Sequence, residues 1–188
     1  MGARRMLVRV DDFRTRLAKR PIKERPKDGL VCSAVLVLLK DGKEGVETLL
    51  TLRSDSVKDH KGEVSFPGGA VEPEDKDSLE TALREASEEV GITKERLKVI
   101  GRLDDQVTIT GYHIVPWVAE TDSFDGLAPK TPEIVDVFPF PIHLIKNAKR
   151  RIFDVGGEQK EVFFLEYEGK MVWGATARII VELLKVVE

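Results

Sequence analysis

The longest apolar run of the chain is Leu30-Val31-Cys32-Ser33-Ala34-Val35-Leu36-Val37-Leu38-Leu39. It is too continuous for a half-exposed strand, whose side chains would alternate between core and water, and it predicts a central strand buried on both faces. Asp41-Gly42 is a turn signal, so Val46–Arg53 is expected to return as the second strand of a hairpin. The pattern then changes period. Over Asp77–Val90, at roughly 100° per residue, Leu79, Ala82, Leu83, Ala86 and Val90 fall on one side of a helix. Gly91 follows as a left-handed cap. Further strands are expected at Leu97–Leu103, within Val107–Glu120 and at Glu133–Ile142, with a loop over Thr121–Pro132. Pro116 lies inside the second of these and argues for a break, an edge or a bulge there. His143–Lys149 reads as a short helix. Phe153–Val155, Glu161–Tyr167 and Met171–Trp173 read as strands separated by turns at Gly156-Gly157 and Glu168-Gly169-Lys170. A last helix over Ala175–Val187 has Ala177, Ile180, Val181 and Leu184 as its apolar side. This alternation implies an α/β protein, an α/β/α sandwich around a mixed β-sheet.

A length of 188 residues fits one domain, taken here as residues 29–188, preceded by a basic N-terminal extension over residues 1–28. The extension carries ten Arg or Lys against Asp11, Asp12, Glu24 and Asp28. Asp11 or Asp12 is expected to N-cap a short helix with Phe13 and Leu17 on one side. A basic arm suits nucleic acid, and a presequence looks similar. This one lacks interleaved aromatics and carries acids, so a helix packed on the domain is expected, with no nucleic-acid partner. No apolar run has the length needed to cross a bilayer and the start has no secretory segment, which places the protein most simply in the cytoplasm, with no membrane partner. Cys32 is the single cysteine and has no partner for an internal disulfide.

The chemistry concentrates on the polar side of the Asp77–Val90 helix. Glu85, Glu88 and Glu89 fall within about a quarter turn of one another, near the negative end of the helix dipole. Like charges at these spacings destabilise an isolated helix by roughly 0.2–0.5 kcal/mol per pair. A solvated acidic face is the ordinary reading of three glutamates alone. A hard divalent cation, Mg²⁺ or Mn²⁺, is the other, because carboxylate oxygens suit it.

The flanking residues favour the cation. Arg84-Glu85-Ala86-Ser87-Glu88-Glu89-Val90-Gly91-Ile92, with Gly69 upstream, resembles the Nudix box and matches its second half at every fixed position. The usual box has Glu after the glycine with five residues between them. Here Asp75 stands there, with eight residues rather than seven before Arg84. That longer form resembles the coenzyme A pyrophosphatase branch of the Nudix family. So do Leu49-Leu50-Thr51-Leu52-Arg53-Ser54, Lys58, Gly62 and Phe66-Pro67-Gly68-Gly69, and the later Trp173-Gly174-Ala175-Thr176-Ala177, read as structural packing. Lys58 stands where the branch usually has arginine and Glu72 where it has aspartate; lysine keeps the charge but not the bidentate fork.

The resemblance implies the Nudix fold and a metal-dependent hydrolase of a diphosphate in a nucleotide derivative. Coenzyme A or acyl-coenzyme A is the expected substrate, and ADP-ribose or another nucleoside diphosphate derivative the alternative. A non-catalytic Nudix-like module would be favoured by a box lacking a glutamate, and none is lacking. Metal ligands are expected at Glu85 and Glu89, then Glu88, with the Gly68 carbonyl. Arg84 is expected to hold the glutamates, with Asp75. Glu88, Glu133 and Asp136 are candidate bases. Arg53, Lys58, His60, Phe66 and Gly69 are expected to contact substrate, with Lys61 beside them. A homodimer stays open.

Overall fold

The computed structural model describes residues 7–55 and 62–188. The chain opens with helix α1 (Val10–Leu17), followed by β1 (Val31–Gly42), β2 (Gly45–Arg53), β3 (Val64–Ser65), β4 (Gly68–Ala70), helix α2 (Ser78–Val90), β5 (Lys98–Arg102), β6 (Gln106–Val107), β7 (Tyr112–Glu120) and β8 (Ile134–Pro141). It ends with β9 (Lys149–Val155), β10 (Glu158–Tyr167), β11 (Lys170–Trp173) and helix α3 (Gly174–Val187). Two short 3-10 turns lie at Lys94–Arg96 and Ile142–Asn147.

β1 is the buried centre that its sequence predicts. Ala34, Leu36 and Leu38 enter a core beneath α2, while Val37 and Leu39 enter a second core beneath α1 and α3. A strand whose alternate side chains feed two cores must be apolar throughout. β1 runs parallel to β7 on one side, from Val31↔Tyr112 to Leu39↔Glu120. On its other side it pairs antiparallel with β2 only over Leu39–Gly42 and with β4 over Ser33–Val35. The hairpin strands therefore part, and β3, bonded to β2 at Thr51 and Leu52, and β4 fill the opening. A mixed sheet with helices on both faces results. The Gly68-Gly69 segment lies at the split.

Pro116 does not interrupt β7, which stays paired on both sides. The break falls in its neighbour. Pro116 C=O accepts from Leu103 N at 2.9 Å, between β5 and β6. N–H and C=O of one strand residue face the same side, so the missing donor faces the place where β5 gives way to β6.

One other expectation is corrected. α1 begins after Arg9, earlier than an Asp11 or Asp12 cap requires, and Asp12 instead accepts from the Arg9 backbone N–H at 2.9 Å from within the first turn. Phe13 and Leu17 are buried in the α3-side core, as expected of a packed helix. The strands β9 to β11 do not join the main sheet. They form a separate three-stranded antiparallel sheet in the order β11-β10-β9, because two tight turns close it locally. Phe163, Leu165 and Tyr167 pack on the α3-side core, and the Tyr167 ring meets Phe140 edge-on at 5.1 Å.

Candidate active site

The start of α2 is fixed by its own polar residues. Asp77 Oδ1 accepts from Glu80 N at 2.9 Å, and Glu80 Oε2 accepts from Lys76 N at 2.8 Å. These reciprocal bonds satisfy donors that a helix start leaves open. Asp75, just before the cap, collects four donors: Arg84 Nε and Nη2 at 3.0 Å each, Glu72 N at 3.0 Å and Thr81 Oγ1 at 2.9 Å. The Arg84 fork first, then the Glu72 backbone N–H, hold this carboxyl well below the usual carboxylate range. Arg84 thereby joins the loop to the helix. Its remaining Nη1 donates to Glu85 Oε1 at 2.9 Å and to Glu88 Oε2 at 3.3 Å.

Farther along the helix, Glu89 faces β4 and the end of β2. Its Oε2 accepts from Gly68 N at 3.1 Å and its Oε1 from Arg53 Nη1 at 3.4 Å. Arg53 Nη2 reaches Glu133 Oε2 at 2.9 Å. Glu89 is only 5 % exposed, and burial pushes its carboxyl up to about 7 against the pull of Gly68 N–H and Arg53. Burial also pushes Glu85 up, with Arg84 opposing. Desolvation disfavours an ionised carboxylate, so both side chains lack sufficient positive charge. Part of the compensation expected for three neighbouring glutamates is internal: Arg84 serves Glu85 and Glu88, and Arg53 serves Glu89 and Glu133.

The two glycines are required for space. A Cβ on Gly68 would overlap the Ala34 carbonyl oxygen and lie 2.7 Å from Val35 Cα; one on Gly69 would overlap the Glu85 carboxylate. Close backbone approach thus brings β4 against both glutamates.

Among the described residues, no three acidic or imidazole side chains already converge on one point. The residues present nevertheless fit a hard divalent cation. Glu85 and Glu89 are one helical turn apart, partly stripped of water, and offer only oxygen. Glu88 is exposed and held by Arg84, so it would turn to serve as a third ligand.

A cleft of about 440 Å³ opens beside this cluster. Its lining includes Arg53, Gly68 and Gly69, Tyr112 and Ile114, and Trp173, Thr176 and Arg178. Phe66 is buried in the core and also forms part of the cleft lining. A larger hollow of about 620 Å³ by the β1–β2 turn is lined by charged groups such as the Lys40–Glu47 pair, and none of the described candidate residues lines it.

The structure thus brings together Arg53, Phe66, Gly68, Gly69, Arg84, Glu85, Glu88, Glu89 and Glu133. Lys58, His60 and Lys61 lie outside the described residues. Asp136 is not part of the group. It has the same strand parity as Phe138, which enters the α3-side core, whereas Val137 packs on the α2 side. Its carboxylate pairs with Lys170 at 3.0 Å. The Trp173–Thr176 segment, read from sequence as packing, lines the cleft.

Sequence reasoning missed Gln106, Lys160 and Arg178, brought to the cleft by distant segments. It also missed the Asp105–His113 pair, buried with His113 Nε2 and Asp105 Oδ2 at 3.0 Å. Asp104 and Asp105 accept from the backbone N–H groups of Lys23 and Arg25 at 2.9 Å each, tying the N-terminal segment beside the cleft. Two adjacent aspartates between strands were the available signal.

Residues 31–156 match the family model described as the NUDIX domain. A curated relative, an uncharacterized Nudix hydrolase NudL from Photorhabdus laumondii, is 36% identical over 143 residues, covering 74% of this chain and 76% of its own length. The crystal structure of a MutT/nudix family protein from Enterococcus faecalis superposes with a TM-score of 0.53 at 18% identity, covering 95% of this chain and 69% of that one. The NUDIX domain of Shewanella oneidensis NrtR, solved with ADP ribose, gives a TM-score of 0.51 at 18% identity and covers 71% of this chain and 85% of that one. At such identities the two structures support the fold.

Proposed function

The chain belongs to the Nudix family, and on that premise we propose that it is a Mg²⁺- or Mn²⁺-dependent hydrolase that cleaves the diphosphate of coenzyme A or an acyl-coenzyme A. The observation carrying this reading is the pair of desolvated carboxylates, Glu85 and Glu89, held against Gly68-Gly69 at the edge of a cleft. A bound cation would offset charge on the diphosphate oxygens and lower the pKa of bound water. Glu85 and Glu89 would hold it, with Glu88 and the Gly68 carbonyl as the further oxygen ligands. Arg84 is a positioning residue: fixed by Asp75, it orients Glu85. Glu88 or Glu133 accepts the proton of the attacking water as the P–O–P bridge breaks and the departing phosphate takes the bridging oxygen. Arg53 restrains Glu89 and Glu133.

Coenzyme A rests on the branch-like residues between Leu49 and Gly69 and on the cleft, whose volume suits a small-molecule site. Its 3′-phosphate distinguishes it from ADP-ribose, and Lys58 and Lys61 supply cations, with His60 a further donor, near Arg53 in sequence. A substrate panel with Mn²⁺, products separated by mass, tests the reading. Coenzyme A should give 3′,5′-ADP and 4′-phosphopantetheine with a higher kcat/KM than dephospho-coenzyme A or ADP-ribose. A better rate with ADP-ribose overturns the substrate and leaves the metal site standing. Undiminished turnover in EDTA overturns the metal.

A further inference from the structure

We propose that the outer edge of β9 pairs with β9 of a second copy, antiparallel about a two-fold axis at Ile152, joining two three-stranded sheets into one of six strands.

Among the described residues, β9 is the edge of its sheet, bonded to β10 only. All seven of its residues are exposed, including Ile152 at 65 %, Phe153 and Val155. Long exposed edges with apolar side chains are templates for another strand. The turn decides which backbone groups are open. Gly156 and Gly157, at φ of 64° and 87°, form a two-residue connection between Val155 and Glu158. The closing pair of such a hairpin exchanges hydrogen bonds, and bonded positions alternate from there. Lys149, Arg151, Phe153 and Val155 therefore direct N–H and C=O towards β10, while Arg150, Ile152 and Asp154 direct theirs outward. Antiparallel pairing centred on Ile152 sets Ile152 against Ile152 and Arg150 against Asp154. Each open group then meets an open group.

The side chains select the same register. The strand is polarised, with Lys149-Arg150-Arg151 at one end and Ile152-Phe153-Asp154-Val155 at the other. Parallel self-pairing would stack cation on cation. The antiparallel arrangement places Arg150 opposite Asp154 twice, Arg151 opposite Phe153 and Lys149 opposite Val155. Opposite charges directly across strands are favourable and like charges are not. Within one chain Arg150 meets Glu161 at 3.0 Å on the exposed surface, and Asp154 uses Oδ1 to accept from Gly157 N at 2.9 Å. A solvated pair such as Arg150–Glu161 is readily re-partnered.

Sedimentation of the full chain over a concentration series tests this. Wild type should show a reversible monomer–dimer equilibrium. R150D and D154R should each weaken it by about tenfold or more, since each self-pairing now faces like charges. An equimolar mixture of the two should recover wild-type affinity as a heterodimer, because both cross-strand pairings between positions 150 and 154 then set an acid against a base. I152P removes only an outward N–H, so its circular dichroism should match wild type while dimerisation is lost. A wild type that stays monomeric overturns the proposal. So does a dimer indifferent to these substitutions, or a mixture that fails to recover.

Discussion

Replacing Glu89 with glutamine should make the metal-free protein more stable above neutral pH while abolishing most of its activity. An ordinary glutamate titrates near 4.5, and burial pushes Glu89 up to about 7. Below the lower value the carboxyl is protonated in folded and unfolded chains alike and contributes no difference. As pH rises towards 7 the unfolded chain releases this proton and the folded chain keeps it. The unfolded state then binds fewer protons, so stability falls through this window and levels off above it. At about 1.4 kcal/mol per pH unit of separation, the ionised folded form costs roughly 3 kcal/mol. Glutamine has nearly the same volume, still accepts from Gly68 N–H, and has no such transition. Urea unfolding in EDTA, from pH 4 to 8, should therefore show the two proteins converging at the acid end and Glu89→Gln ahead by roughly 3 kcal/mol at the alkaline end. Added Mg²⁺ should reverse the order, because the cation stabilises the state it binds. Parallel pH profiles would refute the claim that Glu89 is held desolvated for a cation.

Arg84→Lys cannot span Asp75 and Glu85 from one fork, and loss of one charge-assisted bond, roughly 1.5–3 kcal/mol, should appear in urea unfolding together with a fall in kcat. Activity should vanish in EDTA and return with Mg²⁺ or Mn²⁺, read as formation of the two phosphomonoester products separated by mass. Of Glu88→Gln and Glu133→Gln, one should lose about 10²–10⁴ in kcat as the general base; Asp136→Asn, paired with Lys170 on the other face, should be nearly silent, and equal small effects from all three would leave activation to the metal. Trp173→Ala should raise KM by up to about tenfold with little change in kcat, in keeping with the loss of one aromatic contact in the cleft.

The sequence made the main sheet legible where one residue's surroundings dictate its type. The Leu30–Leu39 run reads as a strand with core on both sides, and Asp77 to Gly91 carried both a helix period and its C-terminal cap. The errors share a cause. Pro116 was judged by its own strand, yet the tolerance lies in a neighbour that stops bonding at that point. The three strands after Lys149 are legible as strands, but a strand's alternation records which face is buried and leaves its partner, and so its sheet, open. Two local hairpins were enough to withdraw them.

The site was legible for a different reason. Its chemistry is compressed into Gly68–Glu89, where helical spacing converts sequence separation into geometry, so Arg84, Glu85, Glu88 and Glu89 could be placed before any tertiary contact was known. Asp136 and Glu133 show the limit. Both are acids at the start of one strand, three positions apart, and composition cannot rank them. Parity and the partner strand do: Leu52 pairs with Asp136 but Arg53 with Ile134, so β8 carries an extra residue at Val135. Asp136 stays in phase with Phe138 on the face away from α2, whereas Glu133, at the mouth of this irregularity, reaches the Arg53 guanidinium that also holds Glu89. A bulge beside a cluster of acids is a device for re-aiming a side chain, and here it separates a base candidate from a surface ion pair.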